Sequence, residues 1–182
     1  MKFRQRALLV ICSLIAIVVG LVVLTGTAKV FRIPTGGMSP TIQPGDHVTA
    51  TRIFKLAGKV TKGQLVVFNS SQANPRLKGR FLQRVVATGG DTVDSINDRL
   101  HVNGQPLPDR DGKTPRGADP RAALGWSLPK YPLVIPQDQI FTLGDNHGNS
   151  LDSRYFGPFP VDAVTHRPGR IILPLSRAGK IE

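Results

Sequence analysis

The stretch from Gly144 to Gly157 crowds Asp145, Asn146, His147, Asn149, Ser150, Asp152, Ser153 and Arg154 into one short run of this 182-residue chain. A histidine beside carboxylates can act as a general base with an orienting partner. His147 with Asp145 or Asp152 is therefore one pair that could draw a proton from a hydroxyl. Hydroxyls are supplied far upstream, by Thr35 and Ser39 in the Gly- and Pro-rich stretch that runs to Asp46. An ammonium that could be turned into a base is offered by Lys78, though five residues before Gln83 it would face the other way along a strand. The chain has four histidines and one cysteine, Cys12, without the Cys/His spacings of a zinc site. No metal site and no cofactor are expected.

Such groups need elements to position them, and the pattern is that of short strands and turns. Gly (19) and Pro (15) are abundant, and aromatic residues make up only 6%. Strands are predicted at His47 to Ile53, Leu65 to Phe68, Phe81 to Val86, Arg99 to Val102 and Arg170 to Leu173, with Val134-Ile135-Pro136 and Gln139 to Leu143 beginning the motif region. The stretch from Phe31 to Asp46 reads as extended backbone with turns, because Pro and Gly exclude helix. Asn103-Gly104 predicts a primed hairpin turn after the strand ending at Val102. Ser70 to Gly79 reads as a polar loop, and Asp109 to Lys130 as a surface loop.

Ahead of all this, Ala7 to Leu24 is free of charge, preceded by Lys2, Arg4 and Arg6 and followed by Lys29 and Arg32. At about 18 residues the run approaches the ~20 that span a bilayer core and exceeds the 7–15 of a cleaved leader. The competing reading is a cleaved signal peptide, with Gly26 and Ala28 as its small residues. The favoured organisation is a retained anchor over 1–28, with the N-terminus cytoplasmic, and an extracytoplasmic domain over 29–182. The fold class expected is a mostly antiparallel, mostly β domain on one transmembrane helix. A formal net charge of +12 suits anionic lipid headgroups. The basic residues are scattered and no nucleic-acid-binding motif is present, so nucleic acid is not an expected partner.

Three segments together resemble the signal peptidase I family, serine peptidases of the Ser/Lys type (S26-like). Residues 144–157 read GDNHGNSLDSRYFG against the family's G-D-N-R-D-N-S-x-D-S-R-[YF]-[FW]-G, departing at His147 and Gly148. Residues 33–46 match I-P-S-G-S-M-x-P-T-L…G-D, and residues 81–91 match [YF]-x-K-R-V-V-G-x-P-G-D. Order and spacing agree over roughly residues 7–175. The resemblance implies cleavage of signal peptides from exported preproteins at the outer membrane face, by a serine nucleophile and a neutral, buried lysine. At those two positions this chain has Gly37 and Gln83. Glycine carries no nucleophile, and an amide is no base.

The resemblance implies further roles. Thr35 would contribute to an oxyanion hole beside the Gly37 N–H. Ser150 would orient the group at the base position, here bonding Gln83. Asp152 and Arg154 would form a structural ion pair, with Asp145 and Asn146 also structural. Pro34, Gly36, Met38, Phe81 and Leu82 would line a groove that holds the peptide as an added strand. Backbone pairing needs no catalytic dyad. The expected function is accordingly a catalytically impaired homologue, a pseudoenzyme that binds signal peptides or a partner peptidase. The alternatives are an active peptidase with a displaced nucleophile such as Ser39, and an active enzyme inactivated by design at two positions. A further one is a basic lipid-surface protein without a groove.

Overall fold

A computed structural model describes residues 2–24, 27–52, 60–108, 115–117 and 128–181. The run free of charge forms α1 (Lys2–Leu24), whose described side chains from Arg4 to Val18 are all exposed. Among the described residues no helix is long and apolar enough to cross a membrane. The uncharged run of about 18 residues lies near the short end of the length range for a span, and the fold does not show the expected span.

The rest is mostly β, as the Gly- and Pro-rich composition predicts. One sheet runs in the order β1 (Ala28–Arg32), β2 (His47–Arg52), β11 (Val164–Leu173), β3 (Leu65–Asn69), β4 (Arg80–Thr88), β9 (Gln139–Leu143), β10 (Phe159–Pro160), with β12 (Gly179–Lys180) added to β11. A smaller sheet has β7 (Gln105–Pro106), β6 (Arg99–Val102), β5 (Thr92–Ile96) and β8 (Leu133–Val134) in that order. All the pairings are antiparallel. Asn103 (φ 53) and Gly104 (φ 77) take the left-handed conformations of the predicted primed turn.

Several boundaries differ from expectation. β1 is a strand the sequence reading did not predict, and only its last two residues, Phe31 and Arg32, fall in the stretch read as extended backbone with turns. Its five residues pair with β2 from Ala28↔Thr51 to Arg32↔His47, and pairing of this kind is invisible to local propensity. β11 begins six residues earlier than the predicted strand, because Val164 to Arg167 pair with β3 and β2. Within Ser70 to Gly79 there is one helical turn, α2 (Ser70–Ala73), capped by the Asn69 side chain. Ile53 and most of Asp109 to Lys130 lie outside the described residues.

Three apolar clusters hold the domain. Val66, Phe68, Val85 and Phe159 centre the first, and Val93, Leu100, Phe141 and Leu143 the second. The third matters most for the site, since Ile33, Met38 and Ile42 of the Pro-rich segment pack in it with Val48, Leu65 and Ile171. Burying these three side chains fastens an otherwise irregular segment to the sheet. Full burial of side chains this size contributes roughly 1.5–3 kcal/mol each.

Candidate functional site

Gly37 sits in the turn 36–39, closed by a bond from the Ser39 N–H to the Gly36 carbonyl at 3.1 Å. With Met38 buried in the third cluster, the adjoining Gly37 is left at the wall of a cavity of about 550 Å3. The motif segment clamps this turn from the far side. The Asn146 N–H donates to the Gly37 carbonyl at 3.0 Å, and its Nδ2 donates to the Gly36 carbonyl at 3.0 Å. The Thr41 hydroxyl donates to Asp145 Oδ2 at 2.6 Å. Asp145 is itself fixed from β4, where Arg84 donates from Nε and Nη2 to its two oxygens at 2.9 and 2.8 Å. Both partners are buried, and the forked geometry is the strong one for a guanidinium and a carboxylate.

Gln83 precedes Arg84 on β4, so the two side chains point to opposite faces. Arg84 goes to Asp145, while Gln83 lines the cavity at 3% exposure. Its Nε2 donates to the Leu151 carbonyl at 2.7 Å, and its Oε1 accepts from the Thr142 hydroxyl at 2.7 Å. The expected bond to Ser150 does not form; Thr142 and Leu151 occupy both ends of the amide. Thr142 is tied further, its N–H donating to the Ser153 hydroxyl at 3.0 Å. Sequence reasoning missed Thr142. The signal was a hydroxyl inside the apolar strand Ile140-Phe-Thr-Leu143, directly before the motif.

Pro34, Thr35, Gly36, Gly37, Met38, Phe81, Leu82, Gln83 and Ser150 all line the one cavity, from three distant parts of the chain. Asp152 and Arg154 do not line it. Arg154 donates from Nε and Nη2 to the two Asp152 oxygens, both at 2.8 Å and both residues buried. Asp152 also accepts from the Gly144 N–H at 3.1 Å and caps α3 (Ser153–Phe156). A Cβ on Gly144 would run into the Ser150 side chain and the Gly37 carbonyl. The motif and the turn meet so closely here that only glycine fits.

The displaced candidates fare differently. Ser39 does not line the cavity, because 35–40 form bends and turns rather than a strand. Lys78 is exposed and away from it. His147 lines a second cavity, with Arg84, Asp145 and Leu143, and not the one holding Gly37 and Gln83. Among the described residues no three His, Cys, Asp or Glu side chains converge as metal ligands would.

Position 37 could accept a side chain. A Cβ there would meet the Asn149 carbonyl at 3.7 Å and Ser150 Oγ at 3.9 Å, both ordinary contacts. At one end of the cavity Arg80 lies over the Phe31 ring, 5.8 Å from its centroid. The Phe31 ring also stands edge-on to His166 at 5.2 Å. Burial first, then the cations Lys29, Arg80 and Arg52, push the His166 pKa below its usual value, so the ring favours the neutral form.

The model of "Signal peptidase, peptidase S26" matches residues 5–173. A signal peptidase I of Leptolyngbya laminosa is 29% identical over 171 residues, covering 92% of this chain and 79% of the relative. Signal peptidase I P of Bacillus subtilis subsp. natto is 28% identical over 165 residues, covering 90% and 87%. A crystal structure of a signal peptidase I from Enterococcus faecalis V583 aligns with a TM-score of 0.43 and 25% identity, covering 59% of this chain and 94% of that one. With the family model matching nearly the whole chain, the three motifs gathered around one groove are those of a relative, and this chain belongs to the signal peptidase family, peptidase S26.

Proposed function

We propose that this chain is a membrane-tethered, non-cleaving member of its family that holds signal peptides of exported proteins in the groove between the turn 36–39 and β4. The observation carrying this reading is the state of the two positions the family chemistry requires. Gly37 offers no nucleophile, and Gln83 is a buried amide bonded at both ends. Restored separately, a hydroxyl would lack its base and a base its hydroxyl. Loss of one member of such a unit already removes most of the rate, on the order of a million-fold for the nucleophile or base of a serine protease triad. The groove itself needs neither group. Its apolar lining from Ile33, Met38, Phe81 and Leu82 and the backbone on either side suit an extended peptide added as a strand.

The tether rests on the sequence. The run from Ala7 to Leu24 is close to the ~17 residues at the short end of the range for a span, and Leu8, Leu9, Ile11, Leu14 and Ile15 are exposed, without cover among the described residues. Basic residues before the run favour an N-terminus in the cytoplasm and a domain outside.

The deciding experiment is cleavage of a preprotein in liposomes by this chain and by the variant Gly37→Ser/Gln83→Lys. We expect no cleavage by the unchanged chain and measurable cleavage by the double variant, since a Cβ at 37 is accommodated. Cleavage by the unchanged chain at a rate like that of the double variant would overturn the reading.

A further inference from the structure

Removing a side chain from a groove wall leaves both space and unused donors. The space at Gly37 is bounded by the Asn149 carbonyl and Ser150 Oγ, at 3.7 and 3.9 Å from where a Cβ would sit. The Gly37 N–H donates to no acceptor among the described residues, although its carbonyl is taken by Asn146. The Ser150 hydroxyl, which lines the same cavity, is likewise uncommitted among the described residues. An unbonded backbone N–H and an unbonded hydroxyl therefore border the same open position.

The ionised side chains that line the groove carry one sign. Arg32 and Arg80 line the groove, no acidic residue among the described ones does, and the buried side chain at 83 is neutral. A neutral internal peptide bond gains little from this field. A carboxylate gains from the cations and from both donors, since hydrogen bonds to an ionised acceptor are roughly twice as strong as neutral ones. Backbone N–H groups at turns are a recurring way to capture a peptide C-terminus. The Asn149 carbonyl repels an anion from its own side, which directs the oxygens toward Gly37 and Ser150.

We infer that the space beside Gly37 is a carboxylate site, and that the groove takes the free C-terminus of an already cleaved, apolar peptide in preference to an uncut chain. This deepens, and rests on, the peptide-holding reading above. The chain would then act after a peptide-hydrolysing reaction, on its released acid product.

The test uses the full chain in detergent micelles and three fluorescent peptides sharing one apolar, small-residue sequence. One ends in a free acid, one in an amide, and one continues for a few further residues. By fluorescence anisotropy the free acid should bind on the order of tenfold tighter than the other two. Gly37→Ala fills the space with a methyl group whose contacts are ordinary, and should bring the three within about twofold of each other. Equal binding of acid and amide, or a preference that survives in Gly37→Ala, overturns the inference and leaves the peptide groove standing. Failure of all three peptides to bind overturns the peptide-holding reading and the inference together.

Discussion

At Gln83 the amide oxygen and nitrogen are satisfied from different directions, by the Thr142 hydroxyl and the Leu151 carbonyl. Thr142→Val removes the donor and leaves a buried carbonyl oxygen without it, a loss of about 1–3 kcal/mol. Pairing it with Gln83→Leu removes both polar groups, so the double variant should be more stable than the sum of the singles predicts. Denaturant unfolding of the four proteins measures that coupling directly. Gly144→Ala is the second test at this scale, because its Cβ has no room between Ser150 and Gly37. Overpacking of this kind costs typically 1–3 kcal/mol, and thermal unfolding should show the loss together with weaker peptide binding. The three segments that meet at the groove could be picked out from the sequence because their residues recur in a fixed pattern and order. Thr142 and the Leu151 carbonyl could not, since one reads as an ordinary strand residue and the other is backbone.

Among the elements, β4 does most of the positioning. It is paired on both sides, with β3 from Leu65↔Arg84 to Asn69↔Arg80 and with β9 at Arg84↔Leu143. Gln83 and Arg84 therefore cannot shift register without breaking two ladders. The turn that ends β4 is fixed by Asp91. Burial tends to raise its pKa, but bonds from the Thr88 N–H, Lys62, Asn103 and the Thr88 hydroxyl outweigh this and lower it from 3.8 to about 2. A carboxyl depressed on folding contributes stability that is present above its unfolded pKa and is lost as pH falls through the folded one. Asp91→Asn should therefore destabilise by about 1–2 kcal/mol at pH 7, and the gap to the parent should close between about pH 4 and pH 2. Urea unfolding at stepped pH reads it. The central strands could be read from their apolar runs. β1 and the first half of β11 could not, because edge and long-range pairing depend on partners that are distant in sequence, such as His47 for Arg32.

For the molecule as a whole, a net charge of +12 predicts binding to anionic vesicles that weakens with salt. Each basic residue near such a surface contributes about 1 kcal/mol, within a Debye length of ~8 Å at physiological ionic strength. Co-sedimentation of the chain with anionic and with neutral vesicles, across a salt series, should separate this attraction from insertion of α1, which salt does not weaken. The architecture was legible at this scale because strand-rich composition and an uncharged N-terminal run need no partner to be seen. How close α1 lies to the groove was not, because it depends on β1. Only six residues, 25–30, lie between Leu24, the end of α1, and Phe31, the first residue lining the groove. A chain that short reaches about 25 Å at most, even fully extended, and β1 is already committed to pairing with β2. If α1 lies in the bilayer, those six residues act as a ruler, setting the height above the lipid at which the groove can work. Peptides that emerge with a longer spacer before their binding segment would pass beyond its reach, and inserting residues between α1 and β1 would move that height outward.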